Sequence, residues 1–283
     1  MLRNVKSYLK PESVEEAVAL VQSNPKAAYL GGGAWTVAFG GDTIETIVDL
    51  QKVGLDKIEA DIEGVKIGAM ATLQAMIDDE QVAALADGLL ATAAGYTQSR
   101  TLREQGTLGG TLIVAGPADP ITTALLVLDA EITYADPVFH KAPFTSFVAY
   151  RDRLIKSRVL ITGVEVKRPP VHSAAAFERV GRSPKDKPIV CAAAYIEVEE
   201  GLPKVVRVAV GGADAVPVRL LKSEHLLKGQ LLGEAKVAEA LKVAVAELNP
   251  IGDFRGSAEY RREMAEVLAR RAILAAWEKA RRA

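Results

Sequence analysis

Apolar residues recur at helical spacing through Ser13-Val14-Glu15-Glu16-Ala17-Val18-Ala19-Leu20-Val21. The serine in front and the glutamate three positions later complete the pattern of a capped amphipathic helix. Short apolar runs after it change period and read as strands, Ala27-Ala28-Tyr29-Leu30 leading into Gly31 and then Ile44-Glu45-Thr46-Ile47-Val48-Asp49-Leu50, a small βαβ-like unit. A second block follows, with a strand at Val65-Lys66-Ile67-Gly68-Ala69, helices over 73–84 and 87–94, a further helix over 122–128 and a strand at 159–166. Lys167-Arg168-Pro169-Pro170 is the expected domain boundary, because paired prolines continue neither a ladder nor a helix. Beyond it, residues 189–198 and 205–210 read as strands joined by the charged turn Glu199-Glu200-Gly201. Helices over 235–248 and 257–280 close the chain, the second with Met264, Val267, Leu268, Ile273, Leu274 and Trp277 on its apolar side. The pairs Arg261-Arg262 and Arg270-Arg271 fit either a partner surface or a solvated face stabilised by i,i+4 pairs.

Two glycine-dense turns interrupt this pattern where strands end, Gly31-Gly32-Gly33 and Gly106-Thr107-Leu108-Gly109-Gly110. Glycine allows positive φ and lets a ligand approach the peptide N–H groups, and successive N–H groups in such turns form concavities for anions. The two turns therefore look like halves of a diphosphate cradle. Neither is a P-loop, and Gly31-Gly32-Gly33-Ala34-Trp35-Thr36 lacks the last glycine of a Rossmann loop. Glycine pairs more often mark tight turns or bulges, so the turns by themselves leave the structural reading open.

Composition narrows the classes. At 283 residues the chain suggests two domains on a prior of about 150 residues each. With 49% hydrophobic and 25% charged residues and a net charge of −1, it has the make-up of an ordinary globular protein, and its interleaved charges give no driver for nucleic-acid binding. Apolar stretches fall short of the roughly 20 residues that a membrane span needs. The start, Met1-Leu2-Arg3-Asn4-Val5-Lys6-Ser7-Tyr8, has no apolar signal core, so a cytoplasmic protein is expected. A single cysteine, Cys191, cannot form an intrachain disulfide or ligate an iron–sulfur cluster alone. Its apolar neighbours predict a buried thiol that packs as a hydrophobe. His140, His172 and His225 have no ligand-like spacing and read as surface or loop residues.

Several strings together resemble a known family. Leu30-Gly31-Gly32-Gly33-Ala34-Trp35 is similar to an Ala-Gly-Gly-Thr/His-Asp/Ser loop, and Val48-Asp49-Leu50 and Val65-Lys66-Ile67-Gly68-Ala69-Met70-Ala71-Thr72-Leu73 follow it. Leu102-Arg103-Glu104-Gln105-Gly106-Thr107-Leu108-Gly109-Gly110-Thr111 resembles Ile-Arg-Asn-x-Gly-Thr-Ile-Gly-Gly-Asn. The match continues through Pro117-Ala118-Asp119, Leu125 to Glu131, Val208 to Ala213, Pro217-Val218-Arg219 and Ser257 to Arg262. In this order they resemble the flavin-binding medium subunit of molybdenum hydroxylases, the family of carbon monoxide and xanthine dehydrogenases.

The resemblance implies an α+β fold: a two-lobed PCMH-type FAD-binding domain over 1–167, with sub-lobes of about 1–53 and 54–167, then a smaller domain of antiparallel strands and helices over 168–283. It implies FAD, its pyrophosphate wrapped by Gly31, Gly32, Gly33, Ala34 and Trp35 and by Thr107, Leu108, Gly109, Gly110 and Thr111. Asp119 would contact ribityl or ribose hydroxyls, and Ile161 would lie beside the adenine or flavin. The residue-level alternative for Asp119 is a helix N-terminal acid beside Pro120. The chain departs from the family pattern at Ala34, Trp35, Glu104 and Thr111, where polar contacts change. Trp35 could stack on the flavin or adenine or simply fill a gap, and Glu104 costs affinity unless it faces Arg100, Arg103 or solvent.

The function implied is electron transfer from a [2Fe–2S] small subunit through FAD to an external acceptor, with substrate chemistry on a molybdopterin large subunit, in a dimer of heterotrimers. No catalytic acid or base is nominated, since the flavin carries the redox step. A flavin-depleted scaffold subunit and a standalone flavoenzyme are the alternatives.

Overall fold

The computed structural model describes residues 2–97, 99–183 and 186–283. Met1, the first residue of the N-terminal stretch read above, lies outside the described residues. In chain order the first elements are β1 (Ser7–Leu9), α1 (Val14–Ser23), β2 (Ala27–Leu30), α2 (Thr36–Phe39), β3 (Thr46–Asp49), β4 (Ile58–Ala60), β5 (Gly64–Gly68) and α3 (Leu73–Asp78). Then come α4 (Glu80–Ala84), α5 (Leu89–Gly95), α6 (Arg100–Gln105), α7 (Leu108–Ile113), α8 (Pro120–Val127), β6 (Glu131–Ala135), β7 (Phe139–Pro143), α9 (Phe144–Lys156) and β8 (Leu160–Lys167). The remainder is β9 (Ser173–Val180), β10 (Val190–Glu199), β11 (Leu202–Gly211), β12 (Val218–Arg219), α10 (Leu221–Leu227), α11 (Glu234–Val245) and α12 (Ala258–Ala280).

These elements form two compact units that interleave along the chain. The first comprises Met1–Asp79, Ser99–Val114 and Ala130–Val166; the second comprises Glu80–Gln98, Ala115–Asp129 and Lys167–Ala283.

In the first unit, β1, β3 and β2 make a parallel three-stranded sheet, with Ser7 and Ala27 both level with Thr46. The predicted helix α1 packs Ala17, Val18 and Val21 against Ala27, Val48 and Leu50. The serine caps it as expected, its Oγ accepting from the Glu16 N–H at 3.1 Å, while Glu16 Oε2 accepts from the N–H of Glu12, one residue before the cap, at 2.9 Å. A second sheet has the order β4-β5-β8-β6-β7. The hairpin of β6 and β7 and the helix α9 have no counterpart in the sequence reading. His140 lies in β7 rather than in a loop, with its Nε2 2.7 Å from Asp136 Oδ1.

The second unit holds an antiparallel sheet, β12-β11-β10-β9, whose strand β10 is buried on both faces from Val190 to Ile196. Period-two alternation sends Val190, Ala192, Ala194 and Ile196 of β10 into a core shared with α10, α11 and α12. The alternate positions meet α5 and α8: Cys191 Sγ is 3.5 Å from Thr123 Oγ1, and Phe177 of β9 stacks on Tyr96 at 5.7 Å. A strand covered on both sides reads as an unbroken apolar run, which is why β10 was legible. Cys191 is completely buried, and burial pushes its thiol up to about 12, so it packs as the small hydrophobe expected.

Helix α12 buries a stripe of small residues, Ala265, Ala269, Ala272, Ala276 and Ala280, together with Leu268, Ile273 and Trp277. Their size, matched by Ala174 and Ala176 on β9, lets the helix lie close to the sheet. Arg261 belongs to this buried side and not to a solvated face. Its Nη1 donates to the carbonyls of Ile189 at 2.7 Å and Gly212 at 3.2 Å, its Nε to Gly256 at 3.3 Å, and its Nη2 to Asp253 Oδ1 at 2.6 Å. One guanidinium thus ties together the residue leading into β10, the turn after β11 and the loop before α12. Removing it strands carbonyls in the core, so Arg261→Ala is expected to lose about 3 kcal/mol of stability, measured by urea unfolding.

Asp49, at the end of β3, is the corresponding buried charge of the first unit. Desolvation pushes its carboxyl up, but the Tyr8 hydroxyl (2.7 Å), the Gln51 N–H (3.0 Å) and Lys10 (3.3 Å) together outweigh it, and the net direction is down. The hydrogen bond to Asp49 in turn pushes the Tyr8 phenol up to about 12. A depressed carboxyl adds stability above its unfolded value and loses it as pH falls through the folded one. The stability gap between wild type and Asp49→Asn is therefore expected to be full at neutral pH and to narrow below about pH 4, read from melting curves across that range.

Candidate functional site

The first glycine turn leaves β2 and enters the short helix α2. The strand that delivers it is held by Arg158, whose guanidinium donates to the carbonyls of Asn24 (2.9 Å) and Ala27. Tyr29, in the same strand, donates back to the Arg158 carbonyl at 3.3 Å. Nothing in the sequence signalled this clamp, since Arg158 follows Asn24 by 134 residues.

Gly33 has φ of +78°, a conformation that glycine adopts without strain. Among the described residues, the backbone N–H groups of Gly32, Gly33, Ala34 and Trp35 have no acceptor in the protein. They form a continuous run of free donors on a partly exposed turn. A Cβ on Gly32 would lie 1.4 Å from the Gln105 carbonyl oxygen, and one on Gly31 would lie 2.9 Å from Thr107 Oγ1. Gly32 thus serves backbone-to-backbone contact, and Gly31 leaves room for the Thr107 side chain.

The second turn is used differently. The N–H groups of Leu108 and Gly109 donate to the carbonyls of Ala71 at 2.9 Å and Ala69 at 2.8 Å. Those of Gly110 and Thr111 donate to Thr107 Oγ1 at 3.2 Å and the Thr107 carbonyl at 2.9 Å, capping α7. Leu73 N–H reaches the Gly106 carbonyl at 2.9 Å. A Cβ on Gly109 would meet that of Ala69 at 2.9 Å. Leu108 is fully buried, Gly109 is buried, and Gly110 and Thr111 reach the surface. The segment Ala69 to Leu73, the second turn and the first turn are therefore three layers in contact, built from three strings that the sequence had quoted separately.

Ile161 and Asp119 lie outside the two turns. Ile161 is a core residue of β8, opposite Tyr134 in β6. Asp119 belongs to the second unit and is the N-cap of α8, its Oδ1 accepting from Thr122 N–H and Oγ1, both at 2.8 Å. Glu104 faces Arg100 at 3.1 Å and solvent. Trp35 fills no gap, since it is 49% exposed and rests on Phe39 with ring centroids 5.7 Å apart.

The FAD binding domain in molybdopterin dehydrogenase matches residues 3–169, more than half of the chain. The chain belongs to this family. The CO dehydrogenase flavoprotein C-terminal domain matches residues 175–276. The chain is 29% identical to the 6-hydroxypseudooxynicotine dehydrogenase complex subunit alpha of Paenarthrobacter nicotinovorans, covering 97% of this chain and 95% of that protein. It is 28% identical to the carbon monoxide dehydrogenase medium chain of Afipia carboxidovorans, covering 94% of each. Its fold matches a carbon monoxide dehydrogenase structure from Hydrogenophaga pseudoflava with a TM-score of 0.90 at 24% identity, over 99% of both chains. The fold class expected from the sequence is thus the fold observed.

An FAD-binding site needs donors for a diphosphate, and the first turn presents them. The family and the free N–H run agree on this group. No helix among the described residues is long and apolar enough to cross a membrane.

Gly32→Ala is expected to force the two turns apart and to abolish flavin retention. Gly116→Ala, whose Cβ would meet nothing within 4 Å, is expected to leave retention unchanged. Flavin absorbance per chain after gel filtration checks both.

Proposed function

We propose that the chain is the FAD-carrying electron-transfer subunit of a molybdenum hydroxylase complex. The observation that carries this reading is the run of uncommitted N–H groups from Gly32 to Trp35, in a member of an FAD-binding family. In it, Gly31, Gly32, Gly33, Ala34 and Trp35 hold the diphosphate. Thr107, Leu108, Gly109, Gly110 and Thr111 form the wall behind them.

Bound FAD would supply the redox centre, taking electrons from a donor and passing them to an acceptor. The protein's own residues bind and orient. Backbone donors from Gly32 to Trp35 offset the diphosphate charge without a side chain that must first be ordered. Arg158 keeps β2, and so the turn, in place. Arg100 neutralises Glu104, the one acid introduced into the second motif. No side chain here is asked to move a proton.

Electrons would enter from a [2Fe–2S] small subunit and leave to an external acceptor, with substrate oxidised on a molybdopterin large subunit. The names of two relatives, a complex subunit alpha and a medium chain, support a multi-subunit oxidoreductase. The single cysteine supports placing the iron–sulfur centre on another chain. A dimer of heterotrimers in the cytoplasm, with sequence domains at 1–167 and 168–283, completes the reading.

The chain purified with its natural partners should carry about one FAD per copy, released by heat and identified as FAD rather than FMN. A colourless chain within an otherwise complete, cluster-bearing complex overturns the proposal and leaves a structural subunit.

A further inference from the structure

The first glycine turn ends on an exposed aromatic pair. Trp35 is 49% exposed, Phe39, one helical turn later, is 67% exposed, and Val37 between them is 50% exposed. The indole leans on the Phe39 ring with centroids 5.7 Å apart and planes at 41°, which limits its orientation while leaving one face open. The chain's other tryptophan, Trp277, is 98% buried, so exposure is particular to this position. The free donors at Gly32, Gly33 and Ala34 immediately precede it, and Trp35's own N–H is the last of the run. Anion donors and an open aromatic face thus lie within one short segment. A phosphate ester carrying a planar ring matches that pair of features, whereas inorganic phosphate would leave the indole unused.

We propose that Trp35 is a positioning residue that stacks on a planar ring of the dinucleotide whose diphosphate the same turn holds. The inference rests on the FAD reading above and adds the residue that sets affinity for the ring. The first turn becomes a two-part clamp: backbone N–H groups take the charge, and the indole takes the aromatic surface. Phe39 backs the indole and keeps it from folding away. The second turn, with its N–H groups from Leu108 to Thr111 already bonded, contributes support and no comparable donors.

The test is calorimetric titration of the full chain, freed of flavin, with FAD, ADP and FMN. Trp35→Ala should weaken FAD binding about tenfold, and Trp35→Phe should restore most of it. Both variants should melt with the wild type, since the side chain is half in solvent. A parallel loss for ADP assigns the indole to adenine; a parallel loss for FMN with ADP untouched assigns it to the isoalloxazine. Either supports the proposal. Unchanged FAD affinity in Trp35→Ala overturns it. The same holds if that variant keeps FAD but loses a partner subunit on co-purification, which would make the aromatic pair a protein interface. A wild-type chain that binds none of the three ligands overturns the FAD reading as well, a result distinct from a variant-specific null.

Discussion

The contact on which the candidate site depends is that of one peptide backbone against another, Gly32 on the carbonyl of Gln105. A side chain of any size at that position would occupy the carbonyl oxygen itself. Closeness there has two effects. It braces the first turn against a segment that is itself bonded to Ala69 and Ala71, and it leaves the outward N–H groups of the first turn with no protein acceptor. On a partly exposed turn such donors are open to a ligand. An array of them is a concavity in which an anion can be held.

Much of this was legible in the sequence, but as composition and order rather than as division of labour. The glycine strings, the capped helix α1, the strands β2 and β10 and the closing helix all follow from period and punctuation. The sequence could not say that the two glycine turns do different work, because both look like nests. The difference lies in which N–H groups find acceptors, and those acceptors, Ala69 and Ala71, are some 38 residues upstream of the turn they bind. The helix expected over 73–84 breaks after Asp78, and Ala86 and Asp87 take positive φ of 48° and 55°. A tertiary bond, Asp87 Oδ2 accepting from the Ala175 N–H at 2.8 Å, holds that irregular turn. The strand β9 escaped notice because Phe177-Glu178-Arg179 breaks its alternation, with Arg179 lying 4.2 Å from the Tyr96 ring.

Charged residues show the same limit. An arginine pair on a helix reads as solvated, yet Arg261 is a buried pin and Arg262 donates to the Leu248 carbonyl at 3.1 Å. Asp119 shows the converse. Its place in a motif suggests a cofactor contact, while its geometry is that of an N-cap with Pro120 at the first helical position.

The departures from the family pattern follow from where the donors are. Ala34, Trp35 and Thr111 change side chains, and the N–H groups at 32–35 belong to the backbone. Substitution there alters the side chains around the turn and leaves the donors in place. Glu104 is the only change that adds charge, and it sits on α6 opposite Arg100 at i,i+4 spacing, both exposed, where its field is screened. A site whose anion recognition rests on main-chain groups can drift in its side chains as long as the glycines that set the main-chain path remain. The steric constraint falls on Gly31, Gly32 and Gly109, where a Cβ would collide with a neighbour.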